Sequence, residues 1–467
     1  MKNLIFFLFS ANVLCLFAQT KPQPKVDERT ELMSVVFRLA EAKEYVTNNI
    51  HSYVTDIDSF FSPYKEHPVV KYSKMMRQNF FVGYDAVMAL AVNLEIENGN
   101  VSLHKDINPC EIESRWQCDS ISKYILLLND FYSKTEFNRF FTEHKRLYSD
   151  AENNFTNNVI SNIKFEWFEK FYGESTDDKF NIIISLANGT NNYGPHIKYN
   201  NGKEDYFAVI GTWLTDSLGN PVYQKNLGSY VIHEFNHSFC NKLIDKYLVE
   251  LLPKAEQFND LVIDKMKAMA YGTAQVYLYE LLVRACVIKY GEYNLGKNAN
   301  VGIWVAQERD NGFLWMENLN QVLSEYELNR DKYPTLQSFM PEIVKVQNGL
   351  NPQRIYRQWI KNQPVIIGTN IKNGAQDIDP NTTQIIVKFN KKMNTCCYGS
   401  SYGKQGENFM PETIDAKWNA KNAKEWILEI KLKPNTEYSV SFPAQFFYSE
   451  KGYYSPKETY YLDFKTK

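Results

Sequence analysis

The sequence predicts an α+β protein: a mainly helical first part with a small sheet ahead of an HExxH-bearing helix, followed by an all-β sandwich. Three observations predict it. Apolar residues recur at helical spacing over residues 27–172 and again over 229–359. Between these stretches, β-branched runs such as Phe180-Asn-Ile-Ile-Ile-Ser read as two or three strands. Beyond Asn362-Gln363-Pro364 the pattern changes to period two.

In chain order, Lys2 and the apolar run Leu4 to Phe17 come first, with Ala18 a small residue at the cleavage position. That run is too short to cross a hydrocarbon layer of ~30 Å, so residues 1–19 read as a secretory signal peptide and the mature protein as secreted or periplasmic. Leu14 before Cys15 does not fit lipid attachment. Residues 20–362 then form one predicted domain and 363–467 a second, a length comfortable for two. No later stretch approaches transmembrane length. A net charge of −2 without a basic cluster makes nucleic acid a poor partner.

In the first helical stretch, Tyr84-Asp85-Ala86 opens a helical pattern, with Asp85 either a cap or a cleft residue. Cys110 and Cys118, eight apart beside Pro109, suit a local disulfide. Cys240 and Cys286 fit either a bridge or buried thiols, whereas adjacent Cys396 and Cys397 do not easily bond to each other. In the strand region, Tyr193 and His196 are candidates for substrate or transition-state contacts, and a turn with a surface histidine fits equally.

Val231-Ile232-His233-Glu234-Phe235-Asn236-His237 carries the chain's HExxH. Residues four apart share a helix face about 6 Å apart, so His233 and His237 can offer two imidazoles to one Zn2+. Glu234 stands beside the metal as the general base for a zinc-bound water. The alternative is two ordinary polar positions on a half-buried helix, but Val231, Ile232, Phe235 and Phe239 make that setting apolar.

Leu243 and Cys240 occupy the places where a metzincin pattern needs histidine and glycine, so the third ligand is sought on another helix. The candidate is Glu280, inside an apolar helical run from about Thr273 to Tyr290 that Gly291 is expected to stop. A carboxylate among Val276, Leu278, Leu281 and Val283 is costly to bury without a cation. Arg284, one turn on, is read as orienting Glu280 from outside the ligand set, and the two also fit a plain i,i+4 ion pair. Tyr277, one turn before, could hydrogen-bond the oxyanion, or be core.

Together, His233-Glu234-Phe-Asn-His237, Glu280-Leu-Leu-Val-Arg284-Ala285 and Tyr84-Asp85-Ala86 resemble the gluzincin metallopeptidases. They are most similar to an uncharacterised family of secreted bacterial domains with HExxH followed by ExxxRA. The resemblance covers about residues 27–350. It implies a zincin-like metallopeptidase fold, the ligands His233, His237 and Glu280, and Glu234 as base. It supplies no substrate.

In the last hundred or so residues, Trp426, Leu428, Ile430 and Leu432 fall on one strand face against Glu429, Lys431 and Lys433. Asn373-Gly374 and Pro434-Asn435 mark turns. The segment from Asn373 to Met393 resembles bacterial immunoglobulin-like modules, which implies a spacer or docking role at a cell surface or on a glycan. Few signals tie this module to the helical part.

The expected function is a secreted zinc-dependent metallopeptidase acting on peptide or protein substrates. The alternative is a non-catalytic surface or periplasmic binding protein on a retained zincin fold, and metal content separates the two. A glycan hydrolase would need paired cleft carboxylates, which a sequence does not reveal.

Overall fold

A computed structural model of the chain describes residues 21–467 apart from 48 and 175–177. The leader expected at residues 1–19 lies outside the described residues. Two compact units emerge: residues 1–165 with 177–228, and residues 166–176 with 229–467.

The first unit is helical with one small sheet. Its opening helix, Glu28–Leu39, starts where the Asp27 side chain accepts a hydrogen bond from the Arg29 amide, an N-cap that satisfies one of the first free N–H groups. Leu32, Met33, Val35, Val36 and Phe37 are fully buried, each worth about 1.5–3 kcal/mol of apolar burial. The sheet runs in the order Pro24–Val26, Lys179–Ile184, Glu204–Ile210 and His196–Lys198, with the first three strands parallel and the last antiparallel. The two or three strands expected from Phe180 onward are three in this sheet: Lys179–Ile184, His196–Lys198 and Glu204–Ile210. The strand Pro24–Val26 is an addition: three residues carry no readable period, and its parallel pairing with Ile182–Ile184 is a long-range event. Asp85 is the first residue of the helix Asp85–Val92, with Tyr84 in the cap position, and it pairs with Arg115 at 2.6 Å. Cys110 and Cys118 form a disulfide.

The second unit holds a helical region and a β sandwich. Two helices matter most for the site: the motif helix Gly228–Lys246 and the ligand helix Ala274–Leu295. The Thr273 hydroxyl caps the ligand helix by accepting from the Val276 amide. Contrary to expectation, Gly291 does not stop that helix, which runs on to a cap at Gly296. Gly291 serves packing instead, since a Cβ there would meet the Trp304 ring at 2.5 Å. The bridging helix Val301–Asn311 follows.

After the helix Pro352–Asn362 the chain enters two four-stranded sheets. One orders Glu412–Trp418, Glu425–Lys431, Gln384–Phe389 and Ile366–Thr369, all antiparallel. The other orders Ala375–Ile378, Tyr460–Thr466, Glu437–Phe442 and Ser401–Tyr402. Trp426, Leu428 and Ile430 are buried and pack with Val387, Phe442 and Leu462, so the alternating face is the core face. The sandwich is nevertheless tied to the helical region through residues 448–455. Those contacts are made by a loop and carry no strand or helix period. Among the described residues no helix is long and apolar enough to cross a membrane.

Candidate metal centre

The motif helix is pinned by its apolar side. Val231, Ile232 and Phe235 are buried, and the Phe239 ring stacks on Tyr172 at 4.1 Å. Tyr172, from the short helix Glu166–Tyr172, also donates its hydroxyl to Asn236 Oδ1 at 2.6 Å. These contacts fix the helix rotation, which turns His233 and His237 together towards the ligand helix.

The outcome is a cluster of three. His233 Nε2 and His237 Nε2 lie 3.3 Å apart. Glu280 places Oε1 3.4 Å from His237 Nε2 and Oε2 3.6 Å from His233 Nε2. For ligand bonds of about 2.0–2.1 Å at tetrahedral angles, the edge between two ligand atoms is about 3.3 Å. The two imidazole nitrogens stand close to that edge, each carboxylate oxygen of Glu280 lies near it from one of them, and one donor atom from each residue falls within 4.8 Å of the others, a spacing that fits residues able to hold a zinc ion. Asn241, one turn beyond His237, supports this arrangement. Its Oδ1 lies 3.2 Å from His237 Nδ1, so that nitrogen carries a proton and Nε2 is the nitrogen turned to the cluster, where a bound cation would take the place of a second proton.

Glu280 is held from behind. Arg284 donates from Nε to Glu280 Oε2 at 3.2 Å, from Nη1 to Glu308 Oε2 at 2.9 Å, and from Nη2 to the Tyr271 hydroxyl at 3.0 Å. Its guanidinium also faces the Phe313 ring at 5.0 Å. The i,i+4 ion pair and the cluster therefore coexist. Burial pushes the Glu280 carboxyl upward, but His233, His237 and Arg284 outweigh it and hold the group well below the usual carboxylate range. Burial likewise drives both imidazoles towards neutrality. His233 falls to about 3, while the hydrogen bond and charge of Glu280 lift His237 to about 9. A cation between these groups would replace that imidazolium as the partner of the carboxylate.

Glu234 is half-buried on the motif helix next to His233. Tyr277 is not brought into the cluster. Although it lies one turn before Glu280, it is fully buried with its ring stacked on Phe313 at 5.4 Å. Tyr193 and His196 belong to the first unit. Tyr193 is buried and its backbone pairs with Val209, while His196 is exposed on the edge strand beside Tyr206. Asp245, another downstream acid, accepts from Gln275 and Tyr279. Sequence reasoning missed Asn241, Tyr271 and Glu308. The i,i+4 spacing of His237 and Asn241 could have found the first. Glu308 is on a separate helix and left no local signal.

Residues 25–346 match the family model described as Domain of unknown function (DUF4932). Residues 360–466 match the model described as Bacterial Ig-like domain. No curated protein and no solved structure matches the chain.

Proposed function

The chain belongs to the DUF4932 family, and on that premise we propose that it is an exported zinc-dependent metallopeptidase with a zincin-like catalytic region and an Ig-like module. One observation carries the reading: two imidazoles and a buried carboxylate bring one donor atom each within 4.8 Å of the others, with a second carboxylate, Glu234, in the same motif. The run Leu4 to Phe17 supports export.

His233, His237 and Glu280 would hold the ion. Bound there, zinc supplies Lewis acidity, lowering the pKa of a water and polarising the scissile carbonyl. Glu234 takes the proton of the attacking water and delivers it to the departing amine as the C–N bond breaks. Asn241 keeps His237 in the ligating tautomer, and Arg284 keeps the Glu280 carboxylate turned towards the histidines.

Elemental analysis of the purified protein after mild dialysis should find about one zinc per chain, the expectation for a three-ligand site with a fourth position open to water. Glu234→Gln should retain the zinc and lose hydrolysis of a peptide library by ~10²–10⁴-fold. A chain that binds no zinc even when it is added would remove the enzyme reading and favour a binding protein. A Glu234→Gln variant that cleaves at the wild-type rate would remove Glu234 as the base.

A further inference from the structure

We propose that the Ig-like module braces the metal centre, acting through the bridging helix on the carboxylate that Arg284 shares with Glu280. This inference rests on the zinc reading above.

Three consecutive residues near the end of that helix face the centre and the module in turn. Glu308 faces the site and accepts from Arg284 Nη1 at 2.9 Å. Arg309, the next residue, is about 100° further round the helix and faces the module. It is 5 % exposed, and its guanidinium donates to the carbonyls of Gly452 at 3.1 Å and Tyr453 at 3.0 Å while lying 3.9 Å over the Tyr454 ring. Asp310 then accepts from the Ser455 hydroxyl at 2.7 Å and from Trp359 Nε1 at 2.8 Å. Behind these polar contacts Ile303 and Ala306 pack on Tyr448. Gly302 admits the Tyr453 ring where a Cβ would sit 2.7 Å from it.

Two features make this more than a domain contact. A buried arginine whose fork is filled by backbone carbonyls is costly to leave without them, so the module fixes the last turn of the bridging helix in one position. That same turn carries the anion that shares Arg284 with Glu280. Glu308 is the charged partner that holds Arg284 from the side away from Glu280, beside the Tyr271 hydroxyl, and outer partners of this kind tune ligand orientation and metal affinity. Arg309 and Tyr454 are therefore positioning residues for the centre.

The test uses the full-length chain and zinc itself. Arg309→Ala removes the anchor from the helix side, and Tyr454→Ala weakens it from the module side without touching the helix. Zinc affinity is read by competition with a chromophoric chelator, and the ligand field by the visible spectrum of the cobalt(II)-loaded protein. Both variants should bind zinc about tenfold more weakly, at the lower edge of outer-partner effects, with shifted cobalt bands. Tyr454→Phe, which keeps the ring, and Lys417→Ala, on an exposed part of the module, should match wild type. Should Arg309→Ala fail to fold, Tyr454→Ala decides alone. Zinc affinity and cobalt bands unchanged in the folded variants would overturn the brace and leave the metal reading standing. A wild-type chain that binds neither ion would overturn the metal reading and the brace with it.

Discussion

Glu280→Gln removes one charge from the candidate centre and almost nothing from its shape. The wild-type oxygens stand 3.4 and 3.6 Å from the two imidazole nitrogens, so on the proposed reading this side chain would be the third ligand. Four-ligand zinc sites bind with apparent free energies of ~10–16 kcal/mol, or roughly 2.5–4 kcal/mol per ligand if shared equally. Losing the anionic ligand should then weaken zinc by about 10²–10³-fold. The fold should survive, because Arg284 keeps Glu308 at 2.9 Å and the Tyr271 hydroxyl at 3.0 Å after its contact with Glu280 is gone. Chelator competition gives the affinity, and the circular dichroism of the zinc-free protein checks folding. Asp260→Ala and Asp264→Ala, at exposed positions, should change affinity little. A folded Glu280→Gln variant that binds zinc as tightly as wild type, with one of those aspartates proving essential, would refute the assignment and leave Glu280 and Arg284 as an internal ion pair.

Two further predictions concern groups around and away from the centre. Asn241→Ala frees His237 Nδ1 from its partner at 3.2 Å and should cost about 10-fold or more in zinc affinity, with Asn241→Asp restoring most of it; equal affinities for all three would exclude the tautomer role. In the first unit, Glu31 is fully buried, and burial lifts it to about 7 against hydrogen bonds from Tyr53, Ser185 and the Leu186 and Ala187 amides. The folded state then holds a proton between pH 4.5 and 7 that the unfolded chain has released. Its contribution is fully present below pH 4.5 and is lost as pH rises through 7, at up to about 1.4 kcal/mol per pH unit. Glu31→Gln should flatten the pH dependence of that unit's unfolding midpoint over this window, and parallel curves for variant and wild type would show that Glu31 does not take up the proton.

What could be read from the sequence was whatever repeats locally. Trp426, Leu428 and Ile430 announce a strand face because period two is written in neighbouring residues, and the same side chains are buried in the sandwich. His233, His237 and Glu280 stood out because polar groups in apolar helices need partners, and the structure brings all three within 4.8 Å. Gly291 was misread because helix-stopping and close packing select the same residue; only the Trp304 ring, thirteen positions on, distinguishes them. Glu308 and Arg309 were invisible for a related reason. Their partners are Arg284 on one side and loop carbonyls far along the chain on the other, and no helical or strand period records such a pairing.

The division of the chain into units has a practical corollary. Residues 166–176 group with the second unit although the first unit continues from 177 to 228. Neither unit is therefore a continuous stretch of polypeptide, and a single proteolytic nick between them cannot separate the halves. A fragment begun at Ser229 would lack the helix Glu166–Tyr172, stripping the Phe239 ring of its stacking partner and Asn236 of its hydroxyl donor. Any attempt to isolate the half that carries the candidate centre must carry that eleven-residue segment along, joined by a new linker or supplied as a separate peptide that complements the fragment in trans.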